Sequence, residues 1–344
     1  MTNVAAQLTL RPLSATQQAD WDPLVQRTTG CFMQSWAWAD FKELEGYQTC
    51  RYGLFEGDRL VGGGLFHIYP RSYGANLLLV PGGFVLPAGR ESEGMELLLQ
   101  QAKLLAQDWG AIALRLESPL PEKPDYLQGF VRAPVDLLPS ETLLIDLSPS
   151  LDQILANMKP KGRYNIRLSQ RHGVTSEFTR DPQAIPRFYD VFWETVERQQ
   201  FFGEPYGFFI NLCQTLFAAN LAEIGLATWR GQILAVMILV YWGDRATYLY
   251  GGRRPDHAHV MASYNLHWTA MQRAKARGCQ CYDFYGFSRD PNHAYARFSR
   301  FKAQFGGTPI TTIGAQDYFF YDRLADTLIR VLSRIHPLKS APNP

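Results

Sequence analysis

One pattern occurs twice in this chain and limits its fold more than any composition figure does. The stretch GLFEGDRLVGGGLFHIY (53–69) has a counterpart in GLATWRGQILAVMILVYW (225–242). Each is an apolar run, a polar turn and a second apolar run. Gly57-Asp58 and Arg230-Gly231 are turn dipeptides of the kind that closes a β-hairpin. After each hairpin comes a helix pattern, a glycine stop and a strand: MELLLQQAKLLAQDWGAIALRLESP (95–119), stopping near Gly110, and NLHWTAMQRAKARGCQCYDFYGFS (265–288), stopping near Gly278. A glycine at that point supplies the left-handed cap that ends a helix. The same order of parts twice over predicts two tandem copies of one α/β (α+β) module, with mixed sheets flanked by helices. The domains expected are 1–150 and 151–320, followed by a C-terminal helix and tail at 321–344.

Between the copies, LDQILANMKPKGRYNIRLSQRHGVT (151–175) carries Lys159, Lys161, Arg163, Arg167 and Arg171 with no acid from Lys159 to Arg171. Pro160 separates two helical pieces there. Phe188, Phe192 and Val196 repeat at helical spacing in the next segment. In the tail, Leu324, Leu328, Val331 and Ile335 fall on one face of a helix, with Arg323, Arg330 and Arg334 elsewhere. Two uses fit such a face: docking on the body, or a peripheral contact with an inner membrane surface.

A hydrophobic fraction of 46% excludes general disorder in this 344-residue chain, and a net charge of +2 does not announce a polyanion binder, so any anion site must come from local clustering. The five cysteines form no paired framework, and neither a signal peptide nor an apolar run long enough to span a membrane is found. A reduced, cytoplasmic protein is expected.

Familiar catalytic signatures are missing: no phosphate-binding P-loop, no dinucleotide G-x-G-x-x-G after a strand, no H-E-x-x-H and no G-x-S-x-G. His257 and His259 are a close pair without a third ligand, so no metal site is expected. RSYGAN (71–76) runs into an apparent strand, where a pyrophosphate would find no helix N-terminus. Three stretches join aromatic and cationic groups: QSWAWADFK (34–42), ETVERQQFFGEPYGFF (194–209) and ATYLYGGRRP (246–255), in which Tyr248 and Tyr250 are expected to share one strand face. Cations and phenols at element ends suit a groove for a phosphorylated or carboxylated ligand.

Taken together, these stretches resemble the FemABX family of tRNA-dependent aminoacyltransferases, which add amino acids to the peptidoglycan stem peptide. QSWAWADFK is similar to the family's Q-S-x-x-W-x-x-F-K opening, and MKPKGRYNIRLSQRHGV (158–174) to its M-K-x-K-x-R-x-x-I-R segment. YLYGG, the following helix and YDFYGF resemble its Y-x-Y-G, helix, Y-D-F-x-G succession, and RFKAQFGG its F-K-x-x-F-G-G end. The resemblance implies two acetyltransferase-like (GNAT) modules without the helical arm of the longer members, for which 175–225 leaves no room. It implies an aminoacyl-tRNA co-substrate and no cofactor. The acceptor would be a UDP-linked or lipid-linked muropeptide precursor, and the protein a monomer. By motif position, Lys42, Arg198 and Tyr250, with Tyr206 and Tyr248, would contact the precursor, and Lys302 would lie beside the reacting ester. The five basic residues from Lys159 to Arg171 read equally as a tRNA contact or a solvated helix face.

An aminoacyl ester is already activated, so its transfer to an amine needs no ATP, metal or protein nucleophile. A fixed cation beside the carbonyl oxygen gains strength as charge forms there. Two alternatives remain at this level: a GNAT-type N-acyltransferase using acyl-CoA or another acyl donor, for example on a cell-surface polysaccharide, and a noncatalytic tandem-module binding protein.

Overall fold

The computed structural model describes residues 7–28, 31–70 and 76–320. The predicted C-terminal helix and most of RSYGAN lie outside the described residues. The first run of elements is β1 (Leu8–Pro12), α1 (Gln18–Thr28), α2 (Trp36–Leu44), β2 (Gln48–Glu56), β3 (Arg59–Pro70), β4 (Asn76–Pro81), α3 (Glu91–Trp109), β5 (Ala111–Ser118) and β6 (Val131–Arg132). The second is β7 (Glu141–Asp146), α4 (Leu151–Asn157), α5 (Pro160–Arg171), β8 (Thr175–Thr179), α6 (Ala184–Gln199), α7 (Tyr206–Ala218), β9 (Ala222–Trp229), β10 (Gln232–Trp242), β11 (Arg245–Arg253), α8 (Ala262–Ala276), β12 (Cys281–Asp283), α9 (Ala296–Lys302) and β13 (Thr308–Thr311). The strand β14 (Gly314–Phe319) follows.

Both predicted hairpins form. Glu56 pairs with Arg59 across Gly57-Asp58, and Trp229 pairs with Gln232 across Arg230-Gly231. The second turn holds Arg230 at φ 50° and Gly231 at φ 79°, the left-handed pair that a two-residue hairpin with native strand twist requires. Gly110 caps α3 in the left-handed region at φ 63°, Gly278 follows α8 at φ 88°, and Pro160 opens α5 at its first turn.

Two seven-stranded mixed sheets result, ordered β1-β2-β3-β4-β5-β14-β6 and β13-β7-β12-β11-β10-β9-β8. Read in the same sense, β1 to β5 of the first correspond to β8 to β12 of the second, with α3 and α8 as the crossover helices inside each parallel pair. The duplication expected from the sequence is present. The last slot departs from it. β14 is inserted between β5 and β6, and β7 between β12 and β13, so each sheet takes its penultimate strand from beyond its own repeat. The compact units accordingly break after Ser140 and again after Thr311, not at 150 and 320.

Inside the first unit, the inserted strand is fixed by charge. Arg115 of β5 and Asp317 of β14 are register partners, joined by two hydrogen bonds of 2.7 Å, with side chains 2% and 4% exposed. A one-residue slip would leave both charges buried and unpaired, a far larger cost than the net worth of the pair. The core of this unit packs α3 residues Leu98, Ala102 and Leu105 against Phe66, Leu78 and Leu114 of the sheet. In the second unit, α8 lays Leu266, Ala270 and Met271 against Met237, Leu239 and Ala246.

Candidate active site

The second unit contains a cleft of about 550 Å³ where its sheet opens. In the first sheet, the parallel pair β4–β5 runs from Asn76–Ala111 to Pro81–Glu117, with one register shift between Asn76 and Leu77. In the second, β11 and β12 pair only from Arg245–Cys281 to Thr247–Asp283, and then the strands part.

Two local irregularities accompany the opening. On β11, Tyr248 faces Leu239 and Tyr250 faces Ile238, so Leu249 is an extra residue without a partner on β10, a β-bulge. The bulge overturns the expectation that Tyr248 and Tyr250 share a face. Tyr248 turns toward α8, its ring 4.7 Å from that of His267, whereas Tyr250 packs against Phe208 and Phe209 of α7 and Phe192 of α6. On the other side, the chain leaves β12 through Tyr285 at φ 47° and Gly286 at φ 56°. Asp283 organises that turn: Oδ1 accepts from the Tyr285 N–H at 2.8 Å and from the Thr142 hydroxyl, and Oδ2 accepts from Arg245 at 3.2 Å.

Lys302 fills the gap. It is the last residue of α9, 5% exposed, and donates to the carbonyls of Tyr285 at 2.5 Å and Gly286 at 2.7 Å. Its Nζ lies 5.6 Å from the Tyr248 ring centroid. Burial pushes the ammonium down to about 7, against the pull of nearby Asp283. The glycines after it are needed for close approach. A Cβ on Gly307 would meet the Leu144 carbonyl at 2.5 Å, and one on Gly162 of α5 would meet the Gln304 carbonyl at 2.2 Å.

The cleft floor includes Tyr248, His267 and Phe301, and its rim carries Lys161, Arg198, Arg253, Arg254, Arg297 and Arg300 against the one carboxylate of Asp256. Arg198 donates to the Arg253 carbonyl at 2.8 Å, and its pKa is lowered first by burial and then by the Arg253 charge. Arg254 is paired with Glu194 at 3.0 Å. Such a surplus of guanidinium groups around an aromatic floor favours an anionic ligand with an apolar part. Burial, and then the neighbouring Lys302, push His267 down to about 3, so its imidazole is neutral at physiological pH.

Of the predicted residues, Lys161, Arg198 and Tyr248 line the cleft, and Lys302 adjoins it through Tyr248, its Nζ 5.6 Å from that ring. Tyr250 is a core residue, and Tyr206, at the first turn of α7, packs its ring 5.1 Å from that of Tyr189 and does not line the cleft. Lys42 belongs to the other unit, on α2, its Nζ 4.9 to 5.5 Å from the rings of Phe41, Tyr47 and Trp38. Of the basic run, Lys159, Arg167 and Arg171 are exposed, while Arg163 turns inward to the carbonyls of Ala156 and Met158 at the end of α4. His257 lies against Trp229, ring centroids 4.8 Å apart. Sequence reading passed over His267, Arg253, Arg254, Arg297 and Arg300. The arginine spacing in RFSRFK, one helical turn apart and just before Lys302, was the available signal.

Residues 160–327 match the acetyltransferase (GNAT) domain family. Over 90% of this chain and 93% of theirs, the lipid II:glycine glycyltransferases of Staphylococcus epidermidis and Staphylococcus aureus are 21% identical to it. The crystal structure of FemX superposes with a TM-score of 0.83 at 18% identity, covering 94% of this chain and all of that one. A tandem GNAT protein from the clavulanic acid biosynthesis pathway gives 0.53 at 14% identity, covering 90% and 98%. The chain has the fold class of tandem GNAT proteins, two GNAT-type modules in one chain. Within that class it is FemX-like, as its motif order indicated.

Proposed function

We propose that this protein transfers an amino acid from aminoacyl-tRNA to the stem-peptide amine of a peptidoglycan precursor, on the cytoplasmic side. The observation that carries this reading is Lys302, held by two carbonyls where β11 and β12 part, its Nζ 5.6 Å from the ring of Tyr248, which lines a cleft carrying six cations. The names of the staphylococcal relatives make glycine the first amino acid to test and the lipid-linked muropeptide the first acceptor. In the first described unit, Lys42 is assigned to the precursor. In the second, Arg198 and Tyr248 are assigned to it, and the rim arginines with Lys161 to tRNA phosphates.

In the reaction, the acceptor nitrogen bonds to the ester carbonyl carbon, and negative charge forms on the carbonyl oxygen. The carbon–oxygen bond to the tRNA ribose then breaks, and the amine proton ends on the released ribose hydroxyl. The Lys302 ammonium contributes by facing the oxygen where that charge forms. With the Tyr285 and Gly286 carbonyls occupying two of its N–H groups, one remains to point at the substrate.

The deciding experiment compares donors. Purified protein, lipid-linked or UDP-linked precursor and glycyl-tRNA should yield a precursor heavier by one glycine residue in the mass spectrum. Transfer from acetyl-CoA to the same acceptor, with none from charged tRNA, would overturn the reading in favour of an acyl-CoA enzyme.

A further inference from the structure

His267 lies in α8 on the cleft floor, 3% exposed, with Nδ1 2.8 Å from the hydroxyl of Tyr282. Tyr282 is fully buried, its ring 5.1 Å from Phe284, and among the described residues its hydroxyl bonds only to this imidazole. A buried hydroxyl that merely accepted would leave its proton unpaired, which is costly away from water. Tyr282 therefore donates and Nδ1 accepts. In a neutral ring the hydrogen must then sit on Nε2. Nε2 has no protein partner among the described residues, yet it is not among the enclosed unpaired atoms, so it opens on the cleft. The faces and edges of the ring are otherwise surrounded by Tyr248, Phe284, Phe301 and Phe305, which leave the imidazole no room to swing.

We propose that His267 is a second donor to the reacting carbonyl: its Nε2–H, oriented by Tyr282, hydrogen-bonds the acyl oxygen beside the Lys302 ammonium as negative charge forms there. The inference rests on the acyl transfer proposed above, and holds for an oxygen ester or a thioester. The imidazole keeps its hydrogen throughout. The new carbon–nitrogen bond, the broken ester bond and the proton passed from amine to leaving group are unchanged by it. A neutral donor suits this place, because a second full charge next to Lys302 would lower the affinity of both for their protons.

Two measurements test it. With whichever donor the wild type uses, His267→Leu should lower kcat on the order of 100-fold with little change in KM. His267→Gln, whose amide reaches the same point with an N–H, should recover most of that loss, and Tyr282→Phe should give an intermediate kcat. Equal loss in the Leu and Gln variants, or no loss in either, would overturn the proposal. Independently of any donor, nitrogen-15 NMR of the histidines should show His267 in the Nε2–H form and not titrating between about pH 5 and 8. An Nδ1–H form, or a titration in that range, would equally overturn it. Failure of the tRNA reading alone looks different: activity appears with acetyl-CoA and not with glycyl-tRNA, while the Leu and Gln contrast and the tautomer persist.

Discussion

Lys302 has a folded-state proton affinity that ties rate and stability to the same group. The ammonium is lost as pH rises through about 7, so kcat should fall on that side of neutrality if the charge acts on the ester oxygen. Lys302→Met should lower kcat by about 100-fold or more while precursor binding changes little, because an oxyanion donor acts on the transition state. A variant that lost binding and rate equally would contradict that role. Stability gives a separate check. Between about pH 7 and the ordinary lysine value of 10.5, the unfolded chain binds the proton that the folded chain has released, so the contribution of Lys302 to wild-type stability rises with pH across that window. The methionine variant lacks this slope. Its melting temperature relative to wild type should therefore be highest at or below neutral pH and decline toward pH 10, whatever the fixed cost of leaving two carbonyls without a donor. The family-like motif around Lys302 made this residue legible in the sequence. His267 was not, because a histidine between leucine and tryptophan in a helix looks like core, and only the placement of Tyr282 reveals its free edge.

At the scale of elements, alternation and glycine stops exposed most of the frame. Hairpins, caps and crossover helices formed where these signals placed them. A bulge escapes such reading: Tyr248 and Tyr250 are two apart, as strand neighbours on one face would be, and the extra residue at Leu249 shows only when β10 is laid beside β11. The same holds for close approach between segments distant in sequence. Gly162, in a helix where glycine is otherwise unfavourable, lets α5 rest on the Gln304 carbonyl, two residues after Lys302. Gly162→Ala should cost about 1–3 kcal/mol in chemical denaturation through overpacking, and should lower kcat by shifting the segment that holds Lys302. Gly207 in α7 is the control. Nothing lies within 4 Å of its would-be Cβ, so Gly207→Ala should be neutral or slightly stabilising. A destabilised Gly207→Ala with an unaffected Gly162→Ala would reverse this account.

For the whole molecule, duplication was legible and the exchange of strands was not, since nothing in LLID or AQDYF says which sheet will take it. The boundary expected at 150 cuts β7 away from the second sheet, and the one at 320 leaves β14 attached to it. The consequence is measurable with two fragments. Residues 141–311 contain every strand of the order β13-β7-β12-β11-β10-β9-β8, with the Arg245–Asp283 pair and the Lys302 carbonyl cage inside. Residues 151–320 lack β7, so β12 and β13 lose the strand that lies between them, and Asp317 on β14 is stranded without Arg115. Loss of a central strand exposes backbone donors and acceptors on both neighbours and opens the core at Leu143 and Ile145. The 141–311 fragment should therefore unfold cooperatively in denaturant, with amide protection along β10 and β11. The 151–320 fragment should aggregate or unfold without a transition, despite being one residue shorter. Cooperative folding of the latter at comparable stability would mean that β7 is a replaceable edge and that the exchange does not hold the second sheet together.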